Sequence, residues 1–478
     1  MLATLPELIL GAGALVLLMV AAWAGDRHTK LISWLSVLLV AAAGLSLFAP
    51  SSHVGVAFGG LYIADGYAAF AKALIYIAGA IAIIIAPDHF SRESIRAFDL
   101  RAEYPVLILL SLVGMGMMVS AIDLLTLYVG LELQSLASYV LAAFHRRDSR
   151  STEAGLKYFV LGALASGILL YGISLLYGFT GTTSFTGIET SIAANGLGLG
   201  ALFGLVFVLS GLAFKAAAVP FHMWTPDVYE GAPTPVTAFF ASAPKVAAIA
   251  LLVRVSIGAL GPAEDAWRQI VIFSALASIV LGAVAAIGQS SIKRLLAYSS
   301  INNIGFVLIG LAAGGADGVA SVLFYMTVYV AMTLGAFLCV LQMRDRDGHY
   351  VETIASLSGL SSTRPGLAAA FAIFMFSLAG IPPLFGFWPK FLVFSAAVKA
   401  GLVPLAVIGI ASSVIGAFYY LKIVKTMYFD EPAPGFAPSE SRLESGLIAA
   451  AAVFVSPLGY LAIPALTATT MAAARALF

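Results

Sequence analysis

Long runs of apolar residues recur along the whole chain and are separated by short polar connections. Most of these runs reach about 18 residues, the length that a helix needs to cross the hydrocarbon core of a bilayer. The pattern predicts fourteen membrane-spanning helices. Their approximate bounds are Leu5–Trp23, Leu31–Ala49, Tyr67–Ala86, Tyr104–Ser120, Leu124–Phe144, Lys157–Phe179, Leu197–Val219, Pro235–Gly258, Ile270–Gly288, Ile292–Ala313, Val319–Met343, Gly366–Lys399, Leu402–Tyr428 and Ser445–Leu466.

The connections between these helices contain no separate soluble domain. The longest connections lie near residues 50–65, 180–195 and 430–444, and they are rich in Gly, Ser, Thr and Pro. The first helix has no basic residue before it, unlike a secretory signal peptide, so we expect it to remain in the membrane. Any chemistry must therefore take place inside the membrane or on a partner chain.

The composition excludes several classes of protein. Only 10% of the residues are charged and 61% are hydrophobic, whereas a typical globular domain is about 25% charged. This rules out a disordered chain, a nucleic-acid-binding protein and an ordinary soluble enzyme. The single cysteine, Cys339, cannot build a structural zinc site or a four-thiolate iron–sulfur cluster, and no phosphate-binding glycine motif occurs. We expect no metal, nucleotide or redox cofactor on this chain.

The basic residues are concentrated in alternate connections. Connections after even-numbered helices hold only Arg268 and Lys399, whereas those after odd-numbered helices hold sixteen basic residues. The sixteen are Arg27, Lys30, Arg92, Arg96, Arg101, Arg146, Arg147, Arg150, Lys293, Arg294, Arg344, Arg346, Arg364, Lys422, Lys425 and Arg442. The positive-inside rule then places the odd-numbered exits in the cytoplasm and both termini on the outer side.

Four charged residues lie deep within predicted helices, where a charge costs roughly 2.5–3.5 kcal/mol. They are Glu132, Lys215, Lys245 and Lys390. Because neutral residues would avoid this cost, we expect these four to be functional. Lys72, Lys157 and Arg254 lie nearer helix ends, where a structural ion pair or snorkelling to the headgroups explains them at least as well. A buried lysine whose carboxylate partner comes and goes can take up and release a proton near neutral pH.

Two predicted helix breaks lie beside these lysines. Pro220 follows Lys215 by five residues, and Pro382–Pro383 precedes Lys390. Proline removes a backbone donor, and broken helices in two halves of a transporter are typical of an ion site within an inverted repeat. The breaks fall in the seventh and twelfth helices, an odd offset that predicts two units of opposite orientation. His222 lies at the first break and is either a proton relay or a cap for the broken helix.

The segment from Phe214 to Val236, FKAAAVPFHMWTPDVYEGAPTPV, resembles a signature of the antiporter-like membrane subunits of the proton-pumping NADH:quinone oxidoreductase, respiratory complex I. The runs from Gly130 to Phe144 and from Glu153 to Ala165 look like the chain N branch of that family. The resemblance covers nearly the whole chain. It implies an all-α membrane protein of fourteen helices with two inverted five-helix repeats, each containing a broken helix.

The resemblance also implies a division of the chain. Helices 1–3 would occupy residues 1–103 and the first repeat, helices 4–8, residues 104–258. The second repeat, helices 9–13, would occupy residues 268–428, and the last helix residues 445–478.

The resemblance further implies roles for the deep charges. Glu132 would pair with Lys215, Lys245 would be the central relay, and Lys390 would pass the proton outward. Lys157 falls at another lysine position of the family. The chain would act as a subunit of a proton-translocating enzyme in a bacterial inner membrane, beside other complex I membrane-arm subunits. NADH, flavin, iron–sulfur clusters and quinone would be bound by the partners.

Other functions remain open from the residues alone. The core motif is shared with subunits of multi-subunit cation/proton antiporters and membrane-bound hydrogenases. A stand-alone secondary transporter for an organic solute is another alternative. A structural membrane anchor would leave the deep charges unexplained.

Overall fold

A computed structural model describes residues 2–50, 55–91, 100–345, 348–438 and 441–478, with no side-chain description for Ala24, Arg27 and Ser91. Arg92, Arg96 and Arg346, which contribute to the charge bias, lie outside the described residues.

Twenty α-helices make up most of the described chain. They are α1 (Leu5–Ala24), α2 (Thr29–Ser46), α3 (Gly66–Ser91), α4 (Glu103–Ser120), α5 (Leu124–Ala142), α6 (Ser149–Thr180), α7 (Phe185–Asn195), α8 (Leu199–Ala216), α9 (Trp224–Gly231), α10 (Thr234–Phe240), α11 (Ala243–Arg254), α12 (Glu264–Ile287), α13 (Ile292–Ala313), α14 (Gly315–Leu341), α15 (Leu360–Thr363), α16 (Pro365–Ala379), α17 (Phe387–Lys399), α18 (Val403–Phe429), α19 (Arg442–Val455) and α20 (Ile463–Arg475). Within the described residues, thirteen helical segments are long and apolar enough to cross a membrane. With the broken pair α16–α17 they account for the fourteen predicted helices, so the predicted all-α polytopic membrane fold is confirmed.

Several helix starts have the caps that the sequence favours. Asp123 accepts hydrogen bonds from the backbone amides of Leu125 and Thr126 at the start of α5. Asp148 and Ser291 cap α6 and α13 in the same way. A side-chain oxygen at this position satisfies amides that have no partner within the helix. The caps fix where the helices leave the connections.

Two predicted helices are interrupted where we expected them to be continuous. The eighth is divided into α10 and α11 at Ala241–Ser242, because Pro244 has no amide hydrogen to continue the helical ladder. The last is divided into α19 and α20 by a 3₁₀ turn that begins at Pro457 and runs to Ala462. The connection near residues 180–195 contains α7. The connection near 50–65 contains an antiparallel hairpin of β1 (Gly55–Ala57) and β2 (Tyr62–Ala64), with Val56 opposite Ile63.

The most buried helices lie at the centre of the bundle. The segment from Thr234 to Ala259 is buried along its whole length, and α13 and α14 are nearly so. In contrast, α1, α2, α6 and α18 expose much of their apolar surface. Lys245 is on the buried segment, so it is enclosed by protein rather than by lipid.

Two buried ion pairs involve the first three helices: one joins α1 to α3, and the other joins the start of α3 to α11. Lys72 Nζ on α3 lies 2.6 Å from the Glu7 carboxylate on α1. Arg254 on α11 lies 2.9 Å from the Asp65 carboxylate at the start of α3. Lys72 and Arg254 therefore each form a structural ion pair, one of the explanations that we considered for these two residues.

Candidate functional site

Lys215 lies on the last turn of α8 and is 6% exposed. Its ammonium donates to Ser135 Oγ on α5 at 2.5 Å and to the Tyr139 hydroxyl at 3.4 Å. It also lies 5.6 Å from the centre of the Tyr139 ring, within the range of a cation–π contact. The deep charge is therefore held by neutral hydroxyl groups and an aromatic ring.

Glu132 and Lys215 form no direct ion pair, so the expected pairing of their charges stays a prediction. Both side chains are described, and no ion pair joins them: Ser135, one turn further along α5, accepts the hydrogen bond from Lys215 instead. Glu132 Oε1 is buried without a hydrogen-bond partner among the described residues. The two charges are near enough to attract each other through space. Residues three apart lie on the same face of a helix, so Ser135 can form the contact with Lys215 that was expected of Glu132.

The first helix break is supported by two serines of α12. α8 ends at Ala216, α9 begins at Trp224, and the Val219–Pro220 peptide is cis. Ser278 accepts a hydrogen bond from the Val219 amide at 2.9 Å, and Ser274 donates to the Val219 carbonyl at 2.6 Å. Freed backbone groups at membrane depth require such partners.

Lys245 binds the open end of α8. It lies in the first turn of α11, is 1% exposed, and its ammonium donates to the Ala216 carbonyl at 2.9 Å. A cation is favoured there because the last carbonyls of a helix have no partner within it and carry partial negative charge. Since Ala216 follows Lys215 in the chain, the structure brings these two predicted site residues together.

Lys390 has an equivalent position at the second break. α16 ends at Ala379, α17 begins at Phe387, and the Pro382–Pro383 peptide is cis. The Lys390 ammonium donates to the carbonyls of Leu378 and Ala379 at 3.1 and 2.9 Å. It also lies 4.6 Å from the centre of the Phe306 ring. At both breaks, then, a buried lysine binds the end of a broken helix.

Comparisons with known proteins identify the family. The family "NADH:quinone oxidoreductase/Mrp antiporter, TM" matches residues 121–416. NADH-quinone oxidoreductase subunit N of Rhizorhabdus wittichii is 73% identical over 476 residues, which cover 99% of this chain and 98% of the relative. The chain belongs to the subunit N family of NADH-quinone oxidoreductases.

Solved structures agree with this assignment. A chain of respiratory complex I from Thermus thermophilus, solved with bound aureothin, is 33% identical with a TM-score of 0.81, covering 97% of this chain and 99% of that one. A chain of the Mrp complex from Dietzia sp. DQ12-45-1b has a TM-score of 0.85 at 23% identity, covering 100% and 98%. The second likeness concerns the fold alone.

In this subunit N family member, the two secondary candidates lie apart from the buried lysines. His222 is in the first break, where its carbonyl accepts from the Thr225 amide at 3.0 Å and helps to begin α9. Its Nδ1 is buried without a hydrogen-bond partner among the described residues. Lys157 is 2.7 Å from both Asp227 and Glu153, and its side chain is 41% exposed. It belongs to the rim of the bundle.

The rim of this family member holds a network of ion pairs between α9 and α13. Arg294 at the start of α13 lies 2.6 Å from Asp227 and 2.9 Å from Glu230, both on α9. With Lys157, these side chains line a cavity of about 260 Å³ at the end of the bundle that carries the basic connections. The network joins α9, which follows the first break, to α13.

Sequence reasoning missed a group of buried hydroxyl and amide side chains on α13, α14 and α18. The Tyr329 hydroxyl donates to Ser300 Oγ, and the Tyr325 hydroxyl donates to Asn303 Oδ1, both at 2.8 Å. The Tyr420 hydroxyl hydrogen-bonds Ser299 and accepts from Asn303. We call Ser299, Ser300, Asn303, Tyr325, Tyr329 and Tyr420 the hydroxyl network.

The helices that carry the hydroxyl network also carry aromatic residues near Lys390 and Lys245. At one end, Asn303 lies one turn from Phe306, whose ring faces Lys390. At the other end, α14 carries Phe337, whose ring contacts Tyr229, and Tyr229 lies under Lys245. Polar residues repeated at spacings of three, four and seven on an apolar helix are the sequence signal for such a network. This signal is not specific, because Ser and Tyr are common in packed helices. Within the described residues, no cluster of His, Cys, Asp or Glu is suitable for a metal ion.

Proposed function

We propose that this subunit N family member moves protons across the membrane through Glu132, Lys215, Lys245 and Lys390. Quinone reduction in partner subunits would drive the movement, and NADH, flavin, iron–sulfur clusters and quinone would be bound there. The chain would sit in a bacterial inner membrane beside other membrane-arm subunits of complex I. Both termini would face the periplasm, as the charge bias favours.

The observation that carries the proposal is the meeting of Lys215 and Lys245 at Ala216. The negative charge of Glu132 attracts the Lys215 ammonium through space. A change at the quinone end that removes this attraction would release the proton from Lys215. The proton would pass to Lys245 while that side chain is a neutral amine; its Nζ hydrogen-bonds the carbonyl of Ala216, the residue next to Lys215.

The hydroxyl network supports a second step from Lys245 to Lys390. Serine and tyrosine hydroxyls both donate and accept hydrogen bonds, so a chain of them with intervening water can pass a proton without any group becoming stably charged. Lys390 would receive the proton beside the second break. From there, the proton would leave on the outer side.

The test is the ratio of protons pumped to electrons transferred by the intact complex reconstituted in vesicles. Glu132→Ala and Lys215→Ala should lower this ratio, whereas Lys399→Ala should not. Lys399 is a suitable control because its exposed side chain pairs with Asp317 at the surface, 3.0 Å away. Assembled Glu132→Ala and Lys215→Ala complexes that pump with an unchanged ratio would refute the proposal.

The proposal also requires partners, which separates it from the solute-transporter and antiporter alternatives. The chain purified from native membranes in mild detergent should carry NADH-oxidising and quinone-reducing activity with it. A chain that purifies alone, or with antiporter subunits that lack these activities, would contradict the proposed role.

A further inference from the structure

The Lys245 side chain lies close to two aromatic rings. Its Nζ is 5.2 Å from the centre of the Trp224 ring and 5.9 Å from the centre of the Tyr229 ring. Both rings belong to α9, the helix that follows the first break, and both are almost fully buried. A cation within about 6 Å of a ring centre is attracted to the negative face of that ring. We call Trp224 and Tyr229 the aromatic pair.

Lys245 has no carboxylate partner among the described residues, although it is only 1% exposed. Its hydrogen bond there goes to the Ala216 carbonyl, at 2.9 Å. Lys215 differs, because Glu132 attracts its charge through space. A buried charge that lacks a partner is costly. A proton on Lys245 is therefore stabilised by one carbonyl and by the aromatic pair.

The aromatic pair distinguishes the two protonation states of Lys245. A ring attracts the ammonium because the ammonium carries a full positive charge, and the neutral amine carries none. The hydrogen bond to Ala216 is available to both states, since both have N–H groups. A cation–π contact away from water is strong enough to change such an equilibrium by about thirtyfold. The rings therefore favour the arrival of a proton on this lysine.

Trp224 is held at the end of α8 by two contacts. Its Nε1 donates to the Phe214 carbonyl at 2.9 Å. Its ring stacks on the Tyr158 ring, with the ring centres 4.4 Å apart and the planes 7° from parallel. Phe214 precedes Lys215 in the chain, whereas Lys245 binds the carbonyl of the residue that follows it. Trp224 and Lys245 thus bind backbone carbonyls on either side of Lys215.

We propose that Trp224 is a positioning residue for proton transfer, whose ring stabilises the protonated form of Lys245 in place of a carboxylate. The inference rests on the proposed function. In that step the Lys215 ammonium gives up a proton and becomes an amine, and the Lys245 amine takes the proton up.

A ring suits a relay that must both accept and release a proton. A buried carboxylate would attract the ammonium much more strongly than a ring does, because a full charge at low dielectric interacts strongly. The cation–π contact is weaker and the ring does not itself bind the proton. Lys245 can therefore be loaded from Lys215 and still pass its proton onward.

Fluorination of the Trp224 indole tests the proposal with little change of shape. Each fluorine withdraws electrons from the ring and weakens its attraction for a cation, while the Nε1–H group that binds Phe214 is kept. Tryptophan and its mono-, di- and trifluoro analogues are introduced at position 224 of the intact complex by amber suppression. The pumping rate in vesicles, at equal amounts of assembled complex, should fall with each fluorine, by about tenfold for the trifluoro ring.

Trp267 is the matched control for this series. It is 1% exposed and its Nε1 donates to the Leu260 carbonyl at 3.2 Å, so it is also a buried tryptophan bound to the backbone. No cation lies over its ring among the described residues. The same analogues at position 267 should leave the pumping rate nearly unchanged. A graded fall at both positions, or at neither, would overturn the proposal.

Substitutions separate this inference from the proposed function. Trp224→Phe keeps a weaker ring and should retain more of the pumping rate than Trp224→Leu, although both lose the bond to the Phe214 carbonyl; equal rates would count against the ring. Lys245→Met tests the pathway itself. If that variant pumps normally, the proposed function fails. If it pumps poorly while the fluorine series at position 224 is flat, the pathway is retained and the role of Trp224 is overturned.

Discussion

The Lys245 ammonium donates a hydrogen bond to the carbonyl of Ala216, the last residue of α8 and the neighbour of Lys215. Two buried lysines on different helices therefore share one helix end. A helix carbonyl that has lost its own ladder partner accepts such a bond without competition. The break in the helix and the pair of lysines are parts of one arrangement.

Lys245→Met should impair proton pumping while leaving the volume of the side chain nearly unchanged. The substitution removes a hydrogen bond to a charged donor, worth about 1.5–3 kcal/mol, and leaves the Ala216 carbonyl without that donor. Pumping measured with a pH-sensitive dye in vesicles should fall strongly. Lys245→Arg keeps a cation and should retain more of the rate; equal rates for both variants would argue against a charge requirement.

Ser135→Ala should weaken the link between Glu132 and Lys215. Ser135 is the hydrogen-bond acceptor for the Lys215 ammonium, so its loss removes about 1.5–3 kcal/mol of interaction with a charged group. We expect a lower proton-to-electron ratio in the assembled complex. The matched control is Ser138→Ala, one turn along the same buried helix face, where the hydroxyl bonds Gln134. A similar loss in both variants would indicate a general packing defect.

Gly380→Ala should displace Lys390. Gly380 has φ +81°, and a Cβ there would lie 2.8 Å from Lys390 Cδ. Gly401→Ala is the control, because Gly401 has φ +78° but open space around its Cβ position. Both variants bear the same backbone cost, about 1–2 kcal/mol. The Gly380 variant alone should lose pumping, measured at equal amounts of assembled complex.

Tyr420→Phe should slow proton transfer through the hydroxyl network. The change removes the hydroxyl that bonds Ser299 and Asn303 and keeps the ring. Tyr419→Phe is the control. The centre of the Tyr419 ring lies 4.1 Å from the centre of the Tyr420 ring, but the buried Tyr419 hydroxyl has no hydrogen-bond partner among the described residues. A kinetic solvent isotope effect on pumping should rise in the Tyr420 variant only. Identical behaviour of both variants would exclude a role for the hydroxyl network.

Features were predictable from the sequence where a single residue differs in chemistry from the apolar residues around it. A lysine or proline in an apolar run is conspicuous, so the deep charges and the breaks at Pro220 and Pro382–Pro383 were predictable. Pro244 gave the same signal for the break between α10 and α11, although we expected that helix to be continuous. Contacts between helices were not predictable, because periodicity does not determine which helix faces which. For that reason Ser135 was missed as the partner of Lys215, and the hydroxyl network was missed altogether.

The dependence of Val219 on Ser274 and Ser278 has a consequence for biogenesis. The helix break emerges from the ribosome before α12, so its amide and carbonyl have no α12 partners when the first half enters the membrane. Until α12 is inserted, these groups need water or the translocation machinery as partners. The first break therefore acquires its final hydrogen bonds at Val219 only after α12 has been made.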